Sequence, residues 1–276
     1  MIIRSLTANT HCRTLLSVKM HFCQLKRRLG SAYLIVMGVI ISACTLTGTL
    51  YDDINPEPLP HPADLPQMTL KSNKLGEVSI EIMGAGNITI DWGDGSEVAT
   101  HTISNNTSFQ RVYANDNLRT ITITGENITR INLNANQISH IDLGEITSLV
   151  HLLCYDNNLD GMLDLSANTL LQTLLCQDNL LTGLNVSGCA ELRILNCGTN
   201  RITNLTMFNN TELEYLDCSF NSMESSSLSI LLSSLHGNEI SDGKTIFIND
   251  NPGTETSLNK DIAKNNGWEV IEIKND

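Results

Sequence analysis

LVHLLCYDNNL, residues 149–159, decides the fold because it recurs. LQTLLCQDNLL (171–181), LRILNCGTNRI (192–202) and LEYLDCSFNSM (213–223) carry the same pattern, and ITRINLNANQI (128–138) carries it with Ile for Leu. The shared frame is L-x-x-L-x-L/C-x-x-N-x-L, and successive copies begin 21, 22, 21 and 21 residues apart. The one extra residue reappears in the second half of the unit. Ile141/Leu143, Leu184/Val186 and Leu205/Met207 follow the last anchor by three and five residues, Leu163/Leu165 by four and six. Self-similarity at so short a period means a stack of small units, none able to bury its apolar face alone.

Each position has a physical task. The central L-x-L/C triplet turns two side chains inward from a short strand, and stacked copies form a parallel sheet with strands about 4.8 Å apart. The Asn column (Asn136, Asn157, Asn179, Asn200, Asn221) falls where the chain leaves the strand, and its amides can pair backbone groups otherwise buried unsatisfied. Cys154, Cys176, Cys197 and Cys218 form one column and read as small buried hydrophobes. In-register neighbours keep their Cβ atoms near the strand spacing, longer than the roughly 3.8 Å a disulfide prefers, so these thiols are expected to be free. Cys189 stands outside the column. The unit resembles the short, Cys-containing bacterial leucine-rich repeat. That resemblance implies a parallel-sheet horseshoe and, as in internalin-like adhesins, a protein ligand held on the concave sheet.

Both ends need covers. Downstream, Leu228, Ile230, Leu231 and Leu235 have helical apolar spacing, and Ile246–Ile248–Asn251 repeats the signature after a longer excursion. A helix carrying Leu258 and Ile262, a stop at Asn266-Gly267-Trp268 and a strand over 270–273 complete an α/β cap over 236–276, with Trp268 in its core. Upstream, 78–82, 88–92 and 120–124 alternate apolar and polar residues with the period of half-buried strands. Residues 67–125 therefore read as a small antiparallel sandwich whose Ile121/Ile123 strand pairs with the first repeat. Asp91-Trp92-Gly93-Asp94-Gly95-Ser96, then Arg111-Val112-Tyr113, resembles the PKD-like β-sandwich, with Arg111 where that family has His. Asp91 and Asp94 fall short of the 6–8 oxygens a calcium ion takes, so the turn reads as structural.

The expected fold is a β-rich leucine-rich repeat solenoid over 126–235, with an antiparallel β-sandwich before it and an α/β cap after it. Ahead of these, Lys26, Arg27 and Arg28 precede an apolar run over 29–41 and then Ser42-Ala43-Cys44. A basic segment, a short apolar stretch and small residues describe a secretory signal over 1–43, with Met20 as the candidate start. Residues 41–44 resemble the bacterial lipobox, which implies lipidation at Cys44 and export to the outer membrane or surface of a Gram-negative cell. Residues 44–66, with five of the chain's six prolines, read as an extended linker.

Charge narrows the function. Six of 17 basic residues precede Cys44 and all 30 acidic residues follow it, leaving a net charge of −19 downstream. Such a chain is repelled by phosphate backbones and anionic lipid, so no nucleic-acid partner is expected, and membrane contact only through the anchor. No phosphate loop, metal-spaced His or Cys pair, or activated nucleophile is present, so the reading is non-enzymatic, without cofactor or metal, and monomeric. Strand parity turns three columns outward. They run Arg130, His151, Thr173, Ile194, Tyr215; then Asn132, Leu153, Leu175, Asn196, Asp217; then Asn134, Tyr155, Gln177, Gly198, Ser219. His151, Leu153, Tyr155, Leu175, Gln177, Ile194, Asn196, Tyr215 and Asp217 are the candidate ligand-binding residues, with an apolar centre at Leu153, Leu175, Ile194, Tyr155 and Tyr215. Glycan capture beside an uptake system is the alternative, as is a structural spacer; the columns offer two Tyr and no Trp for stacking on sugar.

Overall fold

The computed structural model describes residues 65–271, except 145, 241–242 and 256–257. The expected leader, Cys44 and the linker through residue 64 lie outside the described residues.

Five strands open the described chain: β1 (Gln67–Ser72), β2 (Gly76–Asp91), β3 (Ala99–Ile103), β4 (Thr107–Tyr113) and β5 (Arg119–Asn132). From β5 a parallel sheet continues through β7 (His151–Leu153), β9 (Thr173–Leu175), β11 (Ile194–Asn196), β12 (Tyr215–Asp217), β13 (Lys244–Phe247) and β14 (Trp268–Ile271). These are the repeat strands, three residues long in β7, β9, β11 and β12, each with its middle residue buried. On the other limb of the unit lie β6 (Ile138–Asp142), β8 (Asp160–Asp164) and β10 (Leu180–Asn185), with β8 and β10 paired in parallel. The chain is a β-rich repeat solenoid.

The asparagines carry its register. In each interior repeat, Nδ2 donates to the Leu or Cys carbonyl of the repeat before: Asn157 to Leu133, Asn179 to Cys154, Asn200 to Cys176, Asn221 to Cys197 and Asn251 to Cys218. Oδ1 of the same residue accepts a backbone N–H two residues past the preceding Asn, as Asn179 does from Leu159. Two buried backbone groups per repeat are thereby satisfied by one side chain.

The first repeat has no predecessor, and β2 supplies one. Asn136 Nδ2 donates to Ser79 O at 2.7 Å, and its Oδ1 accepts the Ser79 N–H at 3.0 Å. The expected boundary at residue 125 is corrected here, because β5 runs unbroken across it. Its first half pairs with β1 and its second half with β7, so the strand expected to lie beside the first repeat is the first repeat's own strand. The β2/β5 pairing slips near residues 84–88, where a Cβ on Gly84 would sit 2.1 Å from Asn127 O. β1 meanwhile pairs antiparallel with β6, so the opening strands join both limbs of the first repeat.

At the far end, α1 (Ser225–Ser234) replaces the extended outer limb. It buries Leu228, Leu231 and Leu232, whereas Ile230 is half exposed, correcting its expected place on the inner stripe. The single helix expected around Leu258 and Ile262 is instead a 3₁₀ turn at Pro252–Glu255 and a short α2 (Asp261–Asn265), with Ile262 exposed. A Cβ on Gly253 would meet Ser225 N at 2.4 Å, so the turn is pressed onto α1 too closely for a continuous helix. Trp268 is buried and its Nε1 donates to His236 O. Lys244, also buried, donates from Nζ to the carbonyls of His236, Asn238 and Asn266, pinning the loop after α1 to the end of α2.

Candidate binding surface

Register turns the strands into two straight outward columns. Arg130, His151, Thr173, Ile194 and Tyr215 lie side by side, and Thr245 extends the row. Asn132, Leu153, Leu175, Asn196 and Asp217 form the next, extended by Phe247. Leu152, Leu174, Leu195 and Leu216, one residue away, are fully buried. Of the outward set, Ile194 is 39% exposed, while His151, Leu153, Leu175 and Tyr215 are half-buried. Neighbouring strands cover part of every side chain in a parallel sheet, so the patch is shallower than parity alone implies.

The third column is corrected in its second half. Tyr155 and Gln177 are half-buried, but Gly198 and Ser219 are buried. Asn196 Oδ1 accepts the Gly198 N–H and Asp217 Oδ1 accepts the Ser219 N–H, each at 3.0 Å. These two side chains fold along the turn and cover it, which the leucines at 153 and 175 cannot do. The second column thus changes character along the sheet, apolar at Leu153 and Leu175 and polar at Asn196 and Asp217. Burial, with Arg130 next to it, holds the His151 imidazole below its ordinary pKa. At the other end burial and the Asp217 carboxylate push Tyr215 up.

A feature hidden from the periodicity lies just beyond the columns. The residue before each ladder Asn is left-handed: Ala135, Asp156, Asp178, Thr199, Phe220 and Asp250 have φ of 51–55°. Asp tolerates that region through its short polar side chain; Thr and Phe do not gain that help. The Asp recurring at 156, 178 and 250 was the available signal. Around these turns lies a recess of about 410 Å³, bordered by Gln177, Asp178, Asn196, Asp217, Phe220 and Phe247 among others. Of these, Gln177, Asn196 and Asp217 follow from repeat parity, as does Phe247 at the end of the second column.

Cys154, Cys176, Cys197, Cys218 and Cys189 are buried free thiols. Burial pushes Cys154 up to about 12 and Cys189 up to about 11. Cys189 does not stand apart after all. It belongs to a second column with Ile146, Asn168 and Asn210 in the outer half of the repeat, where its Sγ donates to Leu165 O and its own carbonyl accepts from Asn210. Asn168, Cys189 and Asn210 each donate to a carbonyl of the repeat before, a bond that the Ile146 side chain cannot make.

In the opening strands, Asp91 Oδ1 accepts the Gly93 N–H and Asp94 Oδ1 the Ser96 N–H. Arg111 Nε donates to Asp94 Oδ2 at 2.6 Å. The hydrogen bonds from Ser96, with help from Arg111, hold the Asp94 carboxyl below the usual range. Among the described residues no three His, Cys, Asp or Glu side chains are placed to hold a metal ion.

The fold and surface together define a β-rich repeat solenoid with one sheet bearing mixed apolar and polar columns. No family model matches the chain, and no curated protein matches it. Seven chains of solved structures do. One is described as the functional domain of InlJ from Listeria monocytogenes, which includes a cysteine ladder. It is 30% identical, with 45% of this chain and 25% of that chain covered and a TM-score of 0.38. The match therefore spans about a quarter of that protein's length.

Proposed function

We propose that the protein is a non-catalytic, cell-surface binding module that recognises a protein ligand on the concave face of its repeat sheet. One observation carries the reading: Leu153 and Leu175 are in-register neighbours, and one row across Ile194 lies between Thr173 and Tyr215. Apolar side chains in a patch rimmed by polar groups are what interaction sites present. His151, Tyr155, Gln177, Asn196 and Asp217 complete the surface. The opening strands act as its cap and resemble a PKD-like module, and lipid at Cys44 would hold the whole on the outer membrane. Cys44→Ser protein should then be released or left uncleaved; mature-size protein still tightly held in the outer membrane would refute the anchor. The binding face is tested by probing a protein and glycan array with the full-length protein, then repeating the strongest interaction with a Leu175→Glu, Tyr155→Ala double variant. Loss of a protein hit supports the reading. A hit that survives both changes places the site elsewhere, and a glycan-only profile replaces the ligand class.

A further inference from the structure

A recess lies beside Asn196 and Asp217 on this sheet. Three carboxylates border it, Asp178, Asp217 and Asp250, and no Lys, Arg or His does. Among the described residues none of the three is paired with a cation. Two aromatic rings stand with them: Phe220 is 52% exposed, and Phe247 packs at 5.6 Å and 45° on Tyr215. Gln177 contributes a buried side-chain oxygen without a hydrogen-bond partner. Gly198 keeps the cavity open, because a Cβ there would lie 3.3 Å from both Asn196 Oδ1 and Asp217 Oδ1. In the same column Tyr155 and Gln177 carry full side chains, so the space exists where the repeat drops to glycine.

The chemistry left unmet is donors and positive charge beside an aromatic face. A guanidinium supplies all of these: five N–H groups in a plane, a permanent charge and a flat face that stacks on rings. An ammonium gives the charge without the fork, and a neutral glycan would leave the carboxylates unmatched. We propose that this recess receives an arginine side chain of the partner protein, with Asp217 and the Gln177 amide oxygen accepting its N–H groups and Phe220 or Phe247 against its plane. The proposal rests on the reading of this sheet as the binding face and names the partner's chemistry there.

The test uses the full-length protein and a capped Gly-Arg-Gly-Arg-Gly peptide, with lysine and citrulline versions, titrated by calorimetry. The arginine peptide should bind, the lysine peptide more weakly and the citrulline peptide not measurably. Asp217→Asn should weaken binding about tenfold or more, and Gly198→Gln, which fills the recess, should abolish it. Asp217→Asn is isosteric, so the test survives should Gly198→Gln fail to fold. Asp156→Asn removes the same charge outside the recess and should leave affinity unchanged. Equal weakening by Asp156→Asn would mean general attraction to an acidic chain and overturn the proposal. So would full binding to a folded Gly198→Gln variant, or an oligosaccharide binding there in place of the peptide. Leu175→Glu with Tyr155→Ala leaves the recess intact, so loss of a protein ligand in that variant with retained peptide binding separates the two readings.

Discussion

The opening strands and the repeats are both β-structure, yet they are held together by different means. Residues 67–124 form long antiparallel ladders with β-branched interiors, Val78, Ile80, Ile82, Ile88, Ile90, Ile121 and Ile123, all buried. The repeats use strands of three residues, a Leu/Cys interior and an asparagine that bridges one unit to the next. A long strand gains from residues stiff at χ1 that fit a pleated surface. A three-residue strand gains little from backbone pairing alone, so its register depends on the side chain that closes the turn. Asn136 joins the two systems, since it makes a ladder contact to a backbone that is not a repeat.

The largest effect should separate inward from outward positions. Leu174→Ala leaves a cavity in the stack and should cost about 2–5 kcal/mol, while Leu175→Ala, one residue on, should stay within about 1 kcal/mol. Thermal melts that reverse this order would invert the surface assigned above.

Next come the asparagines. Asn179→Ala strands the Leu159 N–H in the interior, while the Cys154 carbonyl keeps its bond from Asn157 Nδ2, and should cost about 1–3 kcal/mol. Asn136→Ala should cost a similar amount, but it loosens the joint and should split a single melt into two. A single transition in both variants would show that β5, continuous across the junction, couples the regions by itself.

A smaller gain is expected at the strained turns. Thr199→Asn places a residue tolerant of the left-handed region where Thr has φ 51°, and should raise stability by about 0.5–1 kcal/mol. A lower melting temperature would show that the threonine makes a contact worth more than its strain.

The smallest effect concerns pH. His151 and His236 are both held below 6.5, chiefly by burial, so the native state takes up protons less readily than the unfolded chain. Their contribution is present above 6.5 and is lost as pH falls through the values they hold in the fold. Asp94 and Asp164, lowered mainly by hydrogen bonds from Ser96 and Ser166, lose theirs only in acid, below 3.8. Melts between pH 8 and 5 should therefore decline modestly, and His151→Gln should flatten that decline; an unchanged slope would assign it to His236.

Much of this molecule is legible in its sequence. A fixed frame of Leu, Cys and Asn every 21 or 22 residues states which side chains point inward, because identical units can stack only in register. Parity then yields the outward columns, and Leu153, Leu175, Ile194 and Tyr215 stand where it puts them. Periodicity is silent wherever a contact is made once. Ser79 standing in for a repeat and Ile230 turned outward on α1 each depend on a non-repeating neighbour. The recess depends on such a meeting too: Phe220 comes from a left-handed turn, Phe247 from the final longer repeat and Gly198 from a single missing side chain. The sequence determined the stack because each unit repeats the same local instruction. Only the tertiary structure decided where unlike residues from different units would meet, since that geometry belongs to no single repeat.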